Sequence, residues 1–239
     1  TIPSNDPDEN PVTISLSGTG GPATPPTFVD VRQGGSANLA TVSTATAVTG
    51  ATGHLYLAAI SAKTHRQVTS VTGLGLTWTR LAAQCAGRNQ TGLELWWAQG
   101  TATTGTVTAT LASAPANALI AVARYSGVST TNPVAPLVAG NSNGVNGACA
   151  NGVDSAAYSF NVTTNQANAL VFGVVAMRTQ TNTPGAGYTE RAEMTQSTGA
   201  NMVSIAFADR AVPTPTSLPL NGTLSGAVDW AAIGVQLHP

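Results

Sequence analysis

Short segments in which apolar and polar residues alternate recur along this chain, and they constrain its fold more than any other feature. Turn-forming Gly, Ser, Thr and Asn residues interrupt the chain about every eight to twelve residues, and no segment has a clear 3.6-residue apolar period. The pattern is densest in residues 73–100, where residues 77–81 alternate and residues 93–97 form a short apolar run. Such segments between Gly and Asn turns are typical of antiparallel strands. The sequence therefore predicts an all-β fold.

An internal similarity at a spacing of about 110 residues is the second feature. Residues 54–62 (HLYLAAISA) parallel residues 169–176 (ALVFGVVA), and residues 78–83 (WTRLAA) parallel residues 188–193 (YTERAE). The other matching segments are 36–46 with 155–164, 93–99 with 202–208, 106–113 with 218–225, and 118–125 with 228–237. The similarity predicts that the chain consists of two related halves.

Each half offers about six strands, so the predicted fold class is a jelly-roll-like antiparallel β-sandwich with an internal pseudo-repeat of about 110 residues. The pseudo-repeats are residues 27–128 and 154–239, within one β-sandwich domain at 27–239. Two packed sheets in one fused unit are favoured over two separate domains, although halves of this length could each stand alone. If the halves form one fused sandwich, we expect a single core shared by Leu95, Trp96 or Trp97, Ile120, Val171, Phe172, Ile205 and Trp230.

Residues 1–26 are set apart from this domain as a lone N-terminal strand and a linker. Residues 5–11 have the Asn, Asp and Pro content of a turn, residues 12–17 alternate, and residues 20–26 are rich in Gly and Pro. The acidic residues Asp6, Asp8 and Glu9 lack the spacing of a calcium-binding loop, which favours a solvated turn.

Charge is scarce: 8% of residues are charged, the net charge is −1, and Lys63 is the one lysine. Without a basic face, nucleic acid is not an expected partner. No apolar run reaches the roughly 20 residues of a spanning helix, so no membrane span is expected. Thr, Ser, Asn, Gln and Gly supply the polar surface, which is typical of a secreted β protein.

The two cysteines, Cys85 and Cys149, lie in loop-like surroundings. In such a chain they are expected to form a disulfide, which indicates an extracellular or cell-surface location. Neither has the nearby His or acidic residues that a metal site needs, and we expect no cofactor.

Two stretches resemble known families. The segment SNDPDENPV-T-I-S-L-SGTG at the N-terminus resembles the last hairpin of the choice-of-anchor D (ASH-like) immunoglobulin-type domains of bacterial surface proteins. The main body resembles an uncharacterised β-sandwich module of bacterial exported and phage-associated proteins, through GLGLTWTRLA, LELWWAQGT, RYSGVSTTNPV, NALVFG, PGAGYTERAE and AFADR. These resemblances imply a jelly-roll-like sandwich in a secreted, multidomain surface protein, and no established activity.

No catalytic pattern stands out, and no enzymatic activity is expected. The chain has no nucleophile-elbow motif, and the three histidines have no triad spacing. Paired carboxylates are also not indicated, because Glu94 is predicted to be solvated opposite its leucine neighbours, and Asp209 and Arg210 to form a local ion pair. Residues 190, 191 and 193 are predicted to form an exposed strand face. Trp96 and Trp97 should point to opposite faces of a strand. Core packing is the simpler role for both, and an outward tryptophan is a candidate for stacking on a glycan.

The leading hypothesis is a non-catalytic extracellular structural protein that assembles with copies of itself. A lone strand leaves its backbone groups unpaired and needs an edge to accept it, so Val12, Ile14 and Leu16 are candidates for donation to a neighbour. A strand that folds back onto its own sheet remains the other possibility. The alternative function is a carbohydrate- or surface-binding adhesin module of a larger secreted protein, with a polysaccharide or cell surface as partner.

Overall fold

The computed structural model describes residues 23–239, and within this range nearly all of the regular secondary structure is β-strand. One short 3-10 turn, Gly199–Asn201, accompanies them. The strands are β1 (Thr27–Ala37), β2 (Thr41–Ser43), β3 (Thr52–Lys63), β4 (Val68–Gly73), β5 (Thr79–Cys85), β6 (Gly92–Thr101), β7 (Val107–Leu111), β8 (Asn117–Ser126), β9 (Val134–Asn141), β10 (Gly144–Val145), β11 (Ser155–Thr163), β12 (Ala169–Met177), β13 (Asn182–Pro184), β14 (Thr189–Gln196), β15 (Val203–Val212), β16 (Ser217–Val228) and β17 (Ala231–Leu237).

The strands form four antiparallel sheets. The first half has a five-stranded sheet in the order β1-β8-β3-β6-β5 and a three-stranded sheet in the order β2-β7-β4. The second half has a six-stranded sheet in the order β10-β9-β17-β12-β15-β14 and a three-stranded sheet in the order β11-β16-β13. The prediction of an all-β antiparallel sandwich is confirmed. The expectation of only two sheets is wrong.

The two halves share one strand order. Each strand of the first half has a counterpart at the same place in the second, so that β1 corresponds to β9, β3 to β12 and β2 to β11. The second half has one additional strand, β10, at the edge of its large sheet. This correspondence is what an internal duplication would produce. The pseudo-repeat itself and the jelly-roll connectivity stay predictions.

Three clusters of buried side chains hold the sheets together. The first outer core, with Tyr56 and Ile120, includes residues of the five-stranded sheet and the first small sheet. The second outer core, with Val171 and Trp230, includes residues of the six-stranded sheet and the second small sheet. The central core unites residues of the two large sheets: Leu55, Leu57, Leu95, Leu119, Tyr125, Phe172, Phe207, Ile205, Ile233 and others. The large sheets are therefore buried on both faces.

This double burial explains the apolar runs in the sequence. In β3, Leu55 and Leu57 belong to the central core while Tyr56 belongs to the first outer core. In β12, Phe172 belongs to the central core and Val171 to the second outer core. A strand covered on both faces is apolar throughout, since neither set of alternating side chains meets water. The predicted single core is accordingly wrong, because its members are divided among the three clusters.

A buried carboxylate also links the halves. Asp229, in the turn between β16 and β17, is fully buried and accepts the N–H groups of Arg88 and Gln90 at 3.0 and 3.2 Å. Those two residues form the turn between β5 and β6 in the other half. Asp229 therefore supplies acceptors that this turn lacks within its own half.

Candidate functional site

Trp96 and Trp97, the predicted glycan-stacking residues, are half-buried on opposite faces of β6. Trp96 packs against the first outer core, and its Nε1–H donates to Glu94 Oε2 at 3.1 Å. Trp97 packs against the central core and lines a shallow pocket of about 160 Å³ with Gln99 and Thr130. Both tryptophans thus contribute to packing, and Trp97 has the more open setting; stacking on a glycan stays a prediction.

Glu94 is buried, so its predicted exposure to solvent is wrong. It is 2% exposed, and its Oε1 accepts the N–H of Val68 at 2.7 Å. The Arg80 guanidinium lies 3.8 Å from Oε2. The prediction failed because β6 is an inner strand whose polar face is covered by the small sheet that contains β4. Burial raises the pKa of the Glu94 carboxyl above its ordinary value, although the hydrogen bonds from Val68 and Trp96 and the nearby Arg80 act in the opposite direction.

The expected ion pair between Asp209 and Arg210 is also wrong. Asp209 Oδ2 accepts from Arg191 Nε at 2.9 Å and from the Tyr125 hydroxyl at 2.9 Å. Neighbouring residues on a strand point to opposite faces, which places Arg210 over the ring of Tyr188, 5.9 Å from its centroid. Burial, with the Asp209 charge beside it, raises the pKa of Tyr125 well above its ordinary value.

The face predicted to be exposed on β14 is only partly so. Glu190 is exposed, but Arg191 is half-buried by its pairing with Asp209. Glu193 is half-buried and accepts the N–H of Asn182 at 3.0 Å. A bulge between Glu190 and Ala192 breaks the simple alternation that the prediction assumed.

A seam pocket of about 480 Å³ lies beside this ion pair, where the two large sheets meet. Phe28, Arg191, Asp209 and Arg210 are among its lining residues. Pro26 and Thr27 also line it, so the chain enters β1 at this place. The Arg191 guanidinium stacks over the ring of Phe28 at 5.1 Å. The seam pocket thus marks where the N-terminal segment joins the sheets.

Cys85 and Cys149 form a disulfide, as the sequence predicted. Their Cα atoms are 5.5 Å apart, and 64 residues separate them in sequence. Cys85 ends the edge strand β5, and Cys149 lies in the loop between β10 and β11 of the second half. The bond therefore joins the two halves.

A further candidate site is a groove in the second half, which we call the β10–β11 groove. It has a volume of about 320 Å³ and lies between the residues of the β9–β10 hairpin and the edge strand β11. Its lining residues are Asn141, Ser142, Gly144, Val145, Ser155, Ala157, Tyr158, Ser159, Phe160 and Trp230. None of these side chains is charged, and the aromatic ones are at most 9% exposed. The groove therefore has an apolar floor and a rim of small polar residues.

Two details make the β10–β11 groove suited to binding. The Tyr158 hydroxyl is already bonded to Asn182 Oδ1 at 3.0 Å, whereas Trp230 Nε1 is buried without a partner among the described residues. Val145, at the rim, is 54% exposed. Sequence reasoning missed this site. The available signals were the uncharged strand 155–163 and valines in a Gly- and Asn-rich connection.

The remaining sequence predictions concern the N-terminal segment, metal binding and membrane spans. Val12, Ile14 and Leu16, and the acidic residues Asp6, Asp8 and Glu9, lie outside the described residues. Within residues 23–239, no group of three or more His, Cys, Asp or Glu side chains is placed to hold a metal ion. This same range contains no helix with the length and apolarity of a membrane span.

The histidines are separated from one another. His65 bonds to Asn89 Oδ1 at 2.8 Å, His238 contacts the carbonyl oxygen of Ala135, and His54 lies near the start of β3.

In comparisons with protein-family models, with curated proteins and with solved structures, nothing matches the chain.

Proposed function

We propose that this protein is a non-catalytic extracellular structural module that assembles with copies of itself by donating its N-terminal strand. One observation carries the proposal: β11 is a nine-residue edge strand without a charged side chain, paired on one side only, with β16. Natural proteins usually protect such edges with charges, proline or a covering segment, because an unpaired edge accepts strands from other chains. The disulfide and the low charge support an extracellular location.

The experiment compares assembly of the full chain with that of two tail variants. In Ile14→Asp/Leu16→Asp, charges replace the apolar face of the predicted strand, so we expect particles no larger than a monomer in light scattering and negative-stain microscopy. Thr13→Asp/Ser15→Asp is the matched control, since it adds the same charge to the opposite face and should still assemble. A parent that is monomeric at all concentrations, or equal assembly of all three proteins, would contradict the proposal.

A carbohydrate- or surface-binding adhesin module is the second candidate. It is favoured by the setting of Trp97, a half-buried indole beside Gln99 and Thr130 in a shallow pocket. Binding of the non-assembling variant to a glycan array, lost on Trp97→Ala, would favour this function over the structural one.

A further inference from the structure

We propose that the β10–β11 groove is the acceptor for residues 12–17 of a second copy of this chain. The donated segment would pair with the open edge of β11 and turn its apolar side chains into the groove. This inference rests on the proposed function and adds the site at which the strand binds.

The other edges of the described sheets are less suitable. β1 carries Asp30 and Arg32, β5 carries Arg80, and β14 carries three charged residues. The strands β2, β10 and β13 have only two or three residues each. This leaves β11 and the six-residue strand β4 as uncharged edges.

The edge of β4 is already partly occupied. The carbonyl of Gln67 accepts from Ala112 on the β7 side, so the N–H of Val68 in the same trans peptide unit points to the open edge. That N–H donates to the buried Glu94 carboxylate. A strand added to β4 would have to displace this bond to a buried carboxylate. On β11, the side chain that bonds to the backbone is the exposed hydroxyl of Ser155, which donates to the carbonyl of Ala157 and accepts its N–H.

The two halves differ in how the strands at this place are joined. In the first half, the corresponding strands β1 and β2 approach closely, and the N–H of Ala45, just after β2, donates to the carbonyl of Gln33 at 2.8 Å. Gly34 permits this approach, since a Cβ there would lie 1.9 Å from the Ser43 carbonyl oxygen. Between β11 and the β9–β10 hairpin there is instead a space of about 320 Å³. The first half thus has a backbone hydrogen bond at this place, and the second half has the groove. The strands β9 and β11 also approach each other, since a Cβ on Gly140 would lie 3.3 Å from the Phe160 ring.

The tail segment matches this opening in length and pattern. Residues 12–17 (VTISLS) are six uncharged residues, and residues 155–160 of β11 border the groove over the same length. Alternation would place Val12, Ile14 and Leu16 on one face of the added strand. That face is complementary to the floor formed by Tyr158, Phe160 and Trp230 and to the exposed side chain of Val145. Main-chain hydrogen bonds would supply affinity, and the side-chain pockets would supply specificity.

The geometry favours a second copy over the same chain. The chain enters at the seam pocket, beside Leu170 and Ala211, whereas the groove lies beside Asn141, at the opposite end of the six-stranded sheet. Six residues along β12 separate the two places, together with two strand spacings from Leu170 or three from Ala211, which gives a straight line of about 22–25 Å. Residues 18–24, fully extended, span about 25 Å at most. A chain could therefore reach its own groove only with these residues almost fully extended, whereas a neighbouring chain is not restricted in this way.

The test changes the groove without touching the tail. Val145→Asp places a charge at the rim of the groove, and Val153→Asp is the matched control, because Val153 lies in the same connection, is 70% exposed and does not line the groove. Both positions are exposed, so both variants should fold. Assembly of each full chain is measured by light scattering. Binding of a labelled peptide of residues 10–20 to each protein is measured by fluorescence anisotropy in the Ile14→Asp/Leu16→Asp background, whose own tail is blocked.

We expect Val145→Asp to abolish assembly and to weaken peptide binding at least about tenfold, since a buried charge opposes the apolar contact, and Val153→Asp to change neither. If the parent assembles through its tail but Val145→Asp behaves like Val153→Asp, the groove is not the acceptor although the proposed function stands. If the parent stays monomeric while the peptide binds in the groove, the occupant is the tail of the same chain, and the proposal that a second copy donates the strand is wrong. If neither assembly nor peptide binding occurs, both the inference and the proposed function are wrong.

Discussion

At the residue scale, the buried carboxylates act as internal acceptors. Glu94 serves Val68 and Trp96, Asp209 serves Tyr125 and Arg191, and Asp229 serves a turn of the other half. Each accepts backbone or side-chain donors that would otherwise be buried without partners, which would cost about 1–3 kcal/mol for each group. These acids therefore have structural roles in a chain with few charges.

Glu94 should make stability depend on pH. Because burial raises its pKa in the folded state, protonation favours folding: the contribution is fully present below the ordinary pKa and is lost as the pH rises through the folded value. We expect the free energy of unfolding of the wild type, relative to Glu94→Gln, to be greater at pH 4 than at pH 7. Urea unfolding of both proteins at the two pH values measures this difference, in which the other acids cancel. Parallel changes in the two proteins would show that Glu94 does not titrate differently on folding.

At the element scale, the strands divide into inner strands that are covered on both faces and edges that are not. β3 and β12 are inner strands with continuous apolar sequences, and β11 alternates between buried and exposed residues. The disulfide joins the loop between β10 and β11 in the second half to the end of the edge strand β5 in the first. This fastening also holds the residues next to the β10–β11 groove, since Asn141 Nδ2 donates to the carbonyl of Cys85 at 2.8 Å.

Removing the disulfide should destabilise the protein without changing its fold. For Cys85→Ser/Cys149→Ser we expect the free energy of unfolding to fall by up to about 4 kcal/mol, the loop-closure entropy for a separation of 64 residues. Urea unfolding compares this variant with the wild type, and treatment of the wild type with reductant is the control that leaves the side chains in place. Two titratable thiols in the denatured, unreduced wild type would contradict the disulfide.

At the scale of the whole molecule, the two halves are joined by an apolar core of their own. The central core takes Leu57 and Leu95 from one large sheet and Phe172 and Ile205 from the other. Full burial of side chains of this size stabilises the folded state by about 1.5–3 kcal/mol each relative to exposure. Separation of the halves would expose these faces to water.

An isolated half should therefore not fold cooperatively. A fragment of residues 27–128 would expose Leu57, Leu95 and Leu119 on one face of its five-stranded sheet. We expect it to bind a hydrophobic dye and to lack the sharp thermal transition of the intact chain, with calorimetry of both as the measurement. A sharp transition in the fragment would mean that the halves are independent domains.

The all-β pattern, the frequent turns and the pairing of the two cysteines could all be predicted from the sequence. These follow from local rules: period-2 alternation, Gly and Asn at turns, and two cysteines in loop-like segments. The sequence could not show what covers each face of a strand, because the covering sheet comes from residues far away in the chain. The burial of Glu94, the pairing of Asp209 with Arg191 on the next strand and the division of the core into three clusters follow from how the sheets pack. The groove beside β11 likewise could not be read from the sequence, because the space between two sheets depends on how they pack and not on the alternation within either strand.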